Sequence, residues 1–69
     1  MTLNPGDIIE SPKYRWVLES RQHDSERWSA YRLQRTRYGW QGEAVNKVDV
    51  FPRIMLKNKG FRLIFKHDL

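Results

Sequence analysis

Apolar residues recur at every second position over much of this chain, the spacing of strands with one buried face. Tyr14, Trp16 and Leu18 alternate with Arg15, Val17 and Glu19, which predicts a strand over residues 14–21. Phe61, Leu63 and Phe65 alternate with Arg62, Ile64 and Lys66, which predicts another over 61–66. Residues 7–10 predict a short first strand around Ile8 and Ile9. Over 28–37, Tyr31 and Leu33 alternate with Ala30, Arg32 and Gln34, and Arg35 and Arg37 continue the Tyr31 face. A helix capped by Ser25 would gather Trp28, Tyr31 and Arg35 on one side. That stripe holds too few apolar residues, so a strand is the stronger reading. Residues 43–50 form a further strand, with Ala44, Val48 and Val50 on one face around Asn46.

Turn chemistry separates these runs. Asn4-Pro5-Gly6-Asp7 joins a residue of fixed φ to one free to take positive φ. Ser11-Pro12-Lys13 breaks the chain before residue 14, and the polar stretch 22–26 reads as a loop. Residues 38–42 read as a turn holding Gly39 and Gly42. Pro52 ends the strand before it, since proline donates nothing to a sheet ladder. Residues 53–57 suit a brief strand or one helical turn. Asn58-Lys59-Gly60 suits a hairpin loop with Gly60 left-handed. Five or six short strands so spaced predict an all-β barrel or sandwich. The 69 residues are too few for an immunoglobulin-type sandwich of ~100 residues. A single domain over 1–69, built as a small SH3-like barrel, fits the length. Its expected core is Ile8, Trp16, Leu18, Tyr31, Leu33, Val48, Val50, Phe61, Leu63 and Phe65.

Composition narrows the class. Nine aromatics argue for a packed domain over a disordered one, although 30% of residues are charged. There is no cysteine, so no disulfide and no thiolate metal site. A small unstapled chain with no basic-then-apolar leader and no apolar run of ~20 residues is expected to be cytoplasmic, with no membrane role. The net charge of +5 is uneven. Residues 1–26 carry −2, residues 27–42 carry four arginines and no acid, and residues 43–69 carry +3. Such asymmetry bears on partners.

The segments Leu3-Asn4-Pro5-Gly6-Asp7, Trp16-Val17-Leu18 and Lys59-Gly60-Phe61-Arg62-Leu63-Ile64 resemble short uncharacterised proteins of bacteriophages and prophages. The resemblance implies a small SH3-like barrel and a bacterial or phage cytoplasmic setting. It carries no functional residue.

Catalytic chemistry finds little support in the residues. His23-Asp24-Ser25 has the letters of a triad, but consecutive residues cannot converge on one another. His67-Asp68 lies in the tail. Two histidines without cysteine give no metal-ligand spacing, and no glycine-rich phosphate loop is present. The expectation is a non-enzymatic binding module with no cofactor and no metal. One cluster suggests its surface: Arg27, Arg32, Arg35 and Arg37 interleaved with Trp28, Tyr31, Tyr38 and Trp40. Arginine forks grip phosphates, and aromatic faces stack unpaired bases. Arg27, Arg32, Arg35 and Arg37 are therefore expected to take phosphates, and Tyr38 and Trp40 to stack. Trp28, Tyr31 and Leu33 are assigned to the core instead. A second basic group, Lys57, Lys59 and Arg62, extends the candidate surface, with Arg53 and Lys66 nearby in sequence; such a group also serves to protect a sheet edge. The leading expectation is nucleic-acid contact. The alternative is a protein-interaction module, such as a phage accessory or inhibitor protein binding a host factor, because aromatics with arginine also make protein hot spots. An open sheet edge would allow a homodimer in either case.

Overall fold

A computed structural model describes residues 2–42 and 47–67. It holds six strands and one short helix: β1 (Ile8–Glu10), β2 (Tyr14–Arg21), β3 (Trp28–Thr36), β4 (Gly39–Gln41), β5 (Lys47–Val50), α1 (Pro52–Leu56) and β6 (Arg62–Phe65). All strand pairs are antiparallel. The order is β4-β3-β2-β1-β6, and β5 also pairs with β3. The edge of β3 is shared. β5 covers its first half, with Trp28 opposite Val50 and Tyr31 opposite Lys47. β4 covers its last turns, with Gln34 opposite Gln41 and Thr36 opposite Gly39. The sheet is open: among the described residues no pairing joins β6 to β4 or β5. The all-β expectation holds, without the closed ring of strands.

Local chemistry explains most element boundaries. Gly6 has φ +96, and the Asp7 N–H donates to the Asn4 carbonyl at 3.1 Å, closing the first turn. Residues 28–36 form a strand and not a helix. The expected turn over 38–42 is shorter than the sequence suggests. It is tightened to Arg37 and Tyr38, with β4 starting at Gly39. The Thr36 hydroxyl takes the Tyr38 N–H at 3.1 Å and donates to the Gly39 carbonyl at 2.9 Å, and Gly39 turns the chain at φ +108. Pro52 opens α1, where its fixed φ and missing N–H cost nothing. Residues 53–57 are therefore helical through Leu56, and 58–60 connect a helix to a strand instead of closing a hairpin. Asn58 caps that connection through its carbonyl and side chain, and Gly60 is not left-handed. Of the predicted strand over 43–50, residues 47–50 are seen. Ala44 and Asn46 lie outside the described residues.

The buried core is Ile9, Trp16, Leu18, Trp28, Ala30 and Val50. Leu3, Tyr14, Val48, Met55, Leu56, Phe61 and Leu63 pack against it. Two of the expected faces are reversed, and one residue of a third is displaced. In β1 the inward residue is Ile9, not Ile8. In β3 the inward residues are Trp28 and Ala30, while Tyr31 and Leu33 look outward. Both faces of β3 are partly apolar, so alternation alone could not choose. Ala30 settles it, because its small side chain fits between Leu18 and Val48 on the neighbouring strands. In β6, Phe65 is half-exposed, not core. The β1–β6 ladder shifts register, so Leu63 faces Ile9 while Phe65 faces Ile8. The extra residue at this bulge, Ile64, throws Phe65 onto the opposite face from the one strict alternation assigns.

One buried polar residue ties the ends of the fold together. Asp7 has no exposed surface. Its carboxylate accepts the Asn4 N–H at 2.8 Å, the Lys66 ammonium at 2.8 Å and the His67 N–H at 2.6 Å. Its carbonyl accepts the Leu18 N–H at 2.9 Å. Burial by itself would raise this carboxyl's pKa. The Lys66 hydrogen bond and charge and the two backbone donors outweigh it, holding the pKa below the ordinary 3.8. A carboxylate with a lowered native pKa stabilises the fold above the unfolded value, and that contribution fades as pH falls through the native one. Asp7→Asn is expected to cost about 2–3 kcal/mol in urea denaturation at pH 7. The gap to the unmodified protein should narrow below pH ~4. Lys66→Met is expected to cost about 1 kcal/mol, since Lys66 is partly solvated. A pH-independent gap for Asp7→Asn would show that the ionised form is not what holds the ends.

Candidate functional site

Nine residues were singled out by sequence, and the sheet distributes them over three places. Arg27 precedes β3 at the end nearest the β2–β3 loop. Arg37 lies at the other end, ten residues on, about 30 Å away along an extended strand. Arg32 is on the inner face, opposite Trp16. Its guanidinium lies 4.7 Å from the Tyr14 ring centre, closing one end of the aromatic series Tyr14, Trp16 and Phe61. Its stem covers the core while its head reaches the rim. The four arginines therefore do not form one patch. Lys57 and Lys59 are exposed in the connection from α1 to β6. That connection delivers the chain to Glu10, where Arg62 enters the sheet.

What does gather is the end of the sheet built from the β1–β2 turn, the β3–β4 turn and the start of β6. Arg35 stands opposite Trp40 on the outer face. Its N–H donates to the Lys13 carbonyl at 2.9 Å, which docks the β1–β2 turn against β3. Arg37 stacks on Tyr38 at 5.3 Å from the ring centre, and Tyr38 is 78% exposed. Arg15 lies 4.5 Å over the Trp40 ring. The sequence offered no sign of that stack, because Arg15 and Trp40 stand on strands that are not neighbours. Glu10 orients Arg15 through a 2.7 Å ion pair and takes Arg62 at 3.0 Å on its other oxygen. The hydrogen bonds from Arg15 and Arg62 hold the Glu10 carboxyl below its ordinary pKa. A row thus crosses the outer face as Arg62, Glu10, Arg15 and Trp40.

Charge is unbalanced here. Five of the thirteen basic side chains are ion-paired among the described residues: Arg15, Lys47, Arg53, Arg62 and Lys66. Lys13, Arg35 and Arg37 at this end have no acidic partner among the described residues, and Glu10 neutralises only one of its two arginines. A second outer row is apolar: Phe65, Ile8, Val17 and Tyr31, ending at Lys47, which pairs with Glu19 at 2.8 Å. The Glu19 hydrogen bond raises the Lys47 pKa.

The residues with catalytic letters stay apart from this surface. His23, Asp24 and Ser25 are exposed in the β2–β3 loop, with His23 in the left-handed region at φ 46. The Ser25 hydroxyl takes the Arg27 N–H at 3.0 Å. His67 packs beside Gly6 and 6.3 Å from Phe65. Among the described residues no three His, Asp or Glu side chains gather as a metal site, and no helix is long and apolar enough to cross a membrane.

Two residues after Trp40, Gly42 lies close against β3. A Cβ on Gly42 would collide with the Leu33 side chain and stand 3.0 Å from the Arg32 carbonyl. Gly42→Ala is expected to cost about 1–2 kcal/mol and to disturb the Trp40 indole signal. Gly60→Ala, which meets nothing closer than 3.8 Å, should change stability by less than about 0.5 kcal/mol. Equal effects of the two in thermal melts would contradict the close packing of Gly42 on Leu33 and the Arg32 carbonyl. Compared with known proteins, the chain matches no family model, no curated protein and no solved structure.

Proposed function

We propose that this protein is a non-enzymatic binding module that contacts nucleic acid through the end of the sheet carrying Lys13, Arg15, Arg35, Arg37, Tyr38 and Trp40. The observation that carries the reading is the coincidence there of two arginine-stacked aromatics with Lys13, Arg35 and Arg37, which have no acidic partner among the described residues. Arg35 and Arg37 take phosphates through their forked donors. Tyr38, on a tight turn and largely in solvent, offers a ring face to an unpaired base. Trp40 is pre-oriented by Arg15 and needs no ordering on binding. Lys57, Lys59 and Arg62 add a diffuse positive field at the same end. Arg27, at the far end of β3, is outside this contact, and Arg32 serves the core first.

The SH3-like barrel remains the proposed fold class. An antiparallel meander over one core, with a single helical turn before the strand that returns to β1, supports it. A phage or prophage origin and a cytoplasmic setting are proposed with it. A second reading is favoured by the apolar row Phe65, Ile8, Val17 and Tyr31. Two of its aromatics are well exposed, Phe65 at 50% and Tyr31 at 38%. Such a row suits a protein partner, a host factor or a second copy of the chain, better than it suits phosphates.

Titration with a short single-stranded oligonucleotide separates the two readings. Contact by three cations predicts a salt slope near −2, so affinity falls roughly 20-fold between 50 and 200 mM salt. Arg35→Gln and Arg37→Gln should each flatten the slope by about 0.7. Glu10→Gln should tighten binding, because it frees Arg15 and Arg62. Amide shifts confined to the β3–β4 turn, β4 and the β1–β2 turn would locate the contact. Absence of binding at low salt removes this reading. A partner held at ~0.5 M salt through Tyr31 and Phe65 would establish the second.

A further inference from the structure

At the opposite end of the molecule the β2–β3 loop, the chain before β1 and the first turn of α1 enclose a partly open pocket of about 120 Å³. Its walls are Thr2, Leu3, Arg21, Glu26, Trp28 and Arg53. By liquid volume this is room for about four waters, the space of a small oxyanion with its first attached atoms. Trp28 is nearly buried and forms a rigid wall. Arg21 sits opposite Trp28 in the β2–β3 ladder. Its Nε donates to the Ser25 carbonyl at 2.8 Å, which fixes the guanidinium plane. Arg53 enters from α1. The one acid among the described lining residues, Glu26, stands 3.9 Å from Arg53, beyond hydrogen-bond length, and both side chains are mostly exposed. An exposed pair at that distance contributes little, so Glu26 is easily displaced.

We propose that this pocket binds a phosphate group, either free or carried as a monoester on a small molecule. Two arginines from different elements line this pocket, and among the described lining residues the one carboxylate, Glu26, only partly answers them. A phosphate dianion matches both charges and presents enough oxygens to meet both forks. A carboxylate satisfies one fork and leaves the other. Thr2 adds a hydroxyl for a further oxygen. Leu3 and Trp28 leave an apolar side against which the ester's carbon atoms rest. The site is independent of the β3–β4 end: it shares none of its residues and lies a strand's length away.

The test is an NMR titration of the intact chain with inorganic phosphate, a nucleoside 5′-monophosphate and the same nucleoside without phosphate. Both phosphates are expected to shift the Trp28 indole N–H in a saturable way, and the nucleoside alone is not. Tighter binding of the monophosphate would assign an ester, and equal binding a free phosphate. Arg21→Gln and Arg53→Gln should each weaken binding about tenfold, and Glu26→Gln should strengthen it several-fold by removing the competing anion. Arg35→Gln should leave it unchanged, so the result does not depend on oligonucleotide binding at the other end. Each variant's free spectrum checks that it is folded. No shift at Trp28 up to ~10 mM phosphate, equal response to the bare nucleoside, or weaker binding in Glu26→Gln would overturn the proposal.

Discussion

The Asp7 carboxylate is the constraint on which the rest of this structure depends. A charge without access to water persists only where other groups meet it. Here they come from both ends of the chain: the Asn4 N–H, the Lys66 ammonium and the His67 N–H. The Asn4 side chain adds a donation to the His67 carbonyl at 2.9 Å. These contacts hold β6 beside β1, where Arg62 pairs with Glu10 and the bulge places Phe65 opposite Ile8. Arg62 and Arg15 then share Glu10, and Arg15 is delivered over Trp40. A chain of contacts therefore runs from a buried acid near residue 7 to an aromatic surface on β4.

β3 plays the complementary part. It is the longest strand and pairs with β2, β4 and β5. Its length divides the positive charge of residues 27–42 between two ends of the molecule. Its pleat divides the charge again, sending Arg32 inward and Arg35 outward. A sequence run with four arginines and no acid becomes two separate electropositive regions. One is a stacked, exposed surface at the turn to β4. The other, at the opposite end, adds Arg21 from the end of β2 and Arg53 from α1, far along the chain.

What could be read in advance follows from how local each cause is. β2 was legible because its alternation is strict and its partners lie on both sides. The strand nature of 28–36 was legible because a helical stripe through Trp28, Tyr31 and Arg35 has too little apolar surface. The inward face of β3 was not, since Trp28 and Ala30 compete with Tyr31 and Leu33, and only the packing of Leu18 and Val48 decides. The position of Phe65 was hidden by a bulge that no local residue announces. The turn at Asn4-Pro5-Gly6-Asp7 was plain, yet the burial of Asp7 was not, because its partners are about sixty residues away. Of the candidate surface, Arg35, Arg37, Tyr38 and Trp40 meet because one turn joins them. Arg15, Glu10 and the pocket around Trp28 needed the topology.

The shared edge of β3 has a mechanical meaning. A single nine-residue partner would hold β3 to one steady twist. Two partners, one over Trp28–Tyr31 and one over Gln34–Thr36, impose no such single twist. Register shifts in the β2–β3 and β1–β6 ladders add curvature. One bent sheet can then wall its own core, with α1 and the chain before β1 closing the hollow side. The concave side is thus filled by the protein's own side chains. The convex side and the two rims are what this molecule presents to anything it meets.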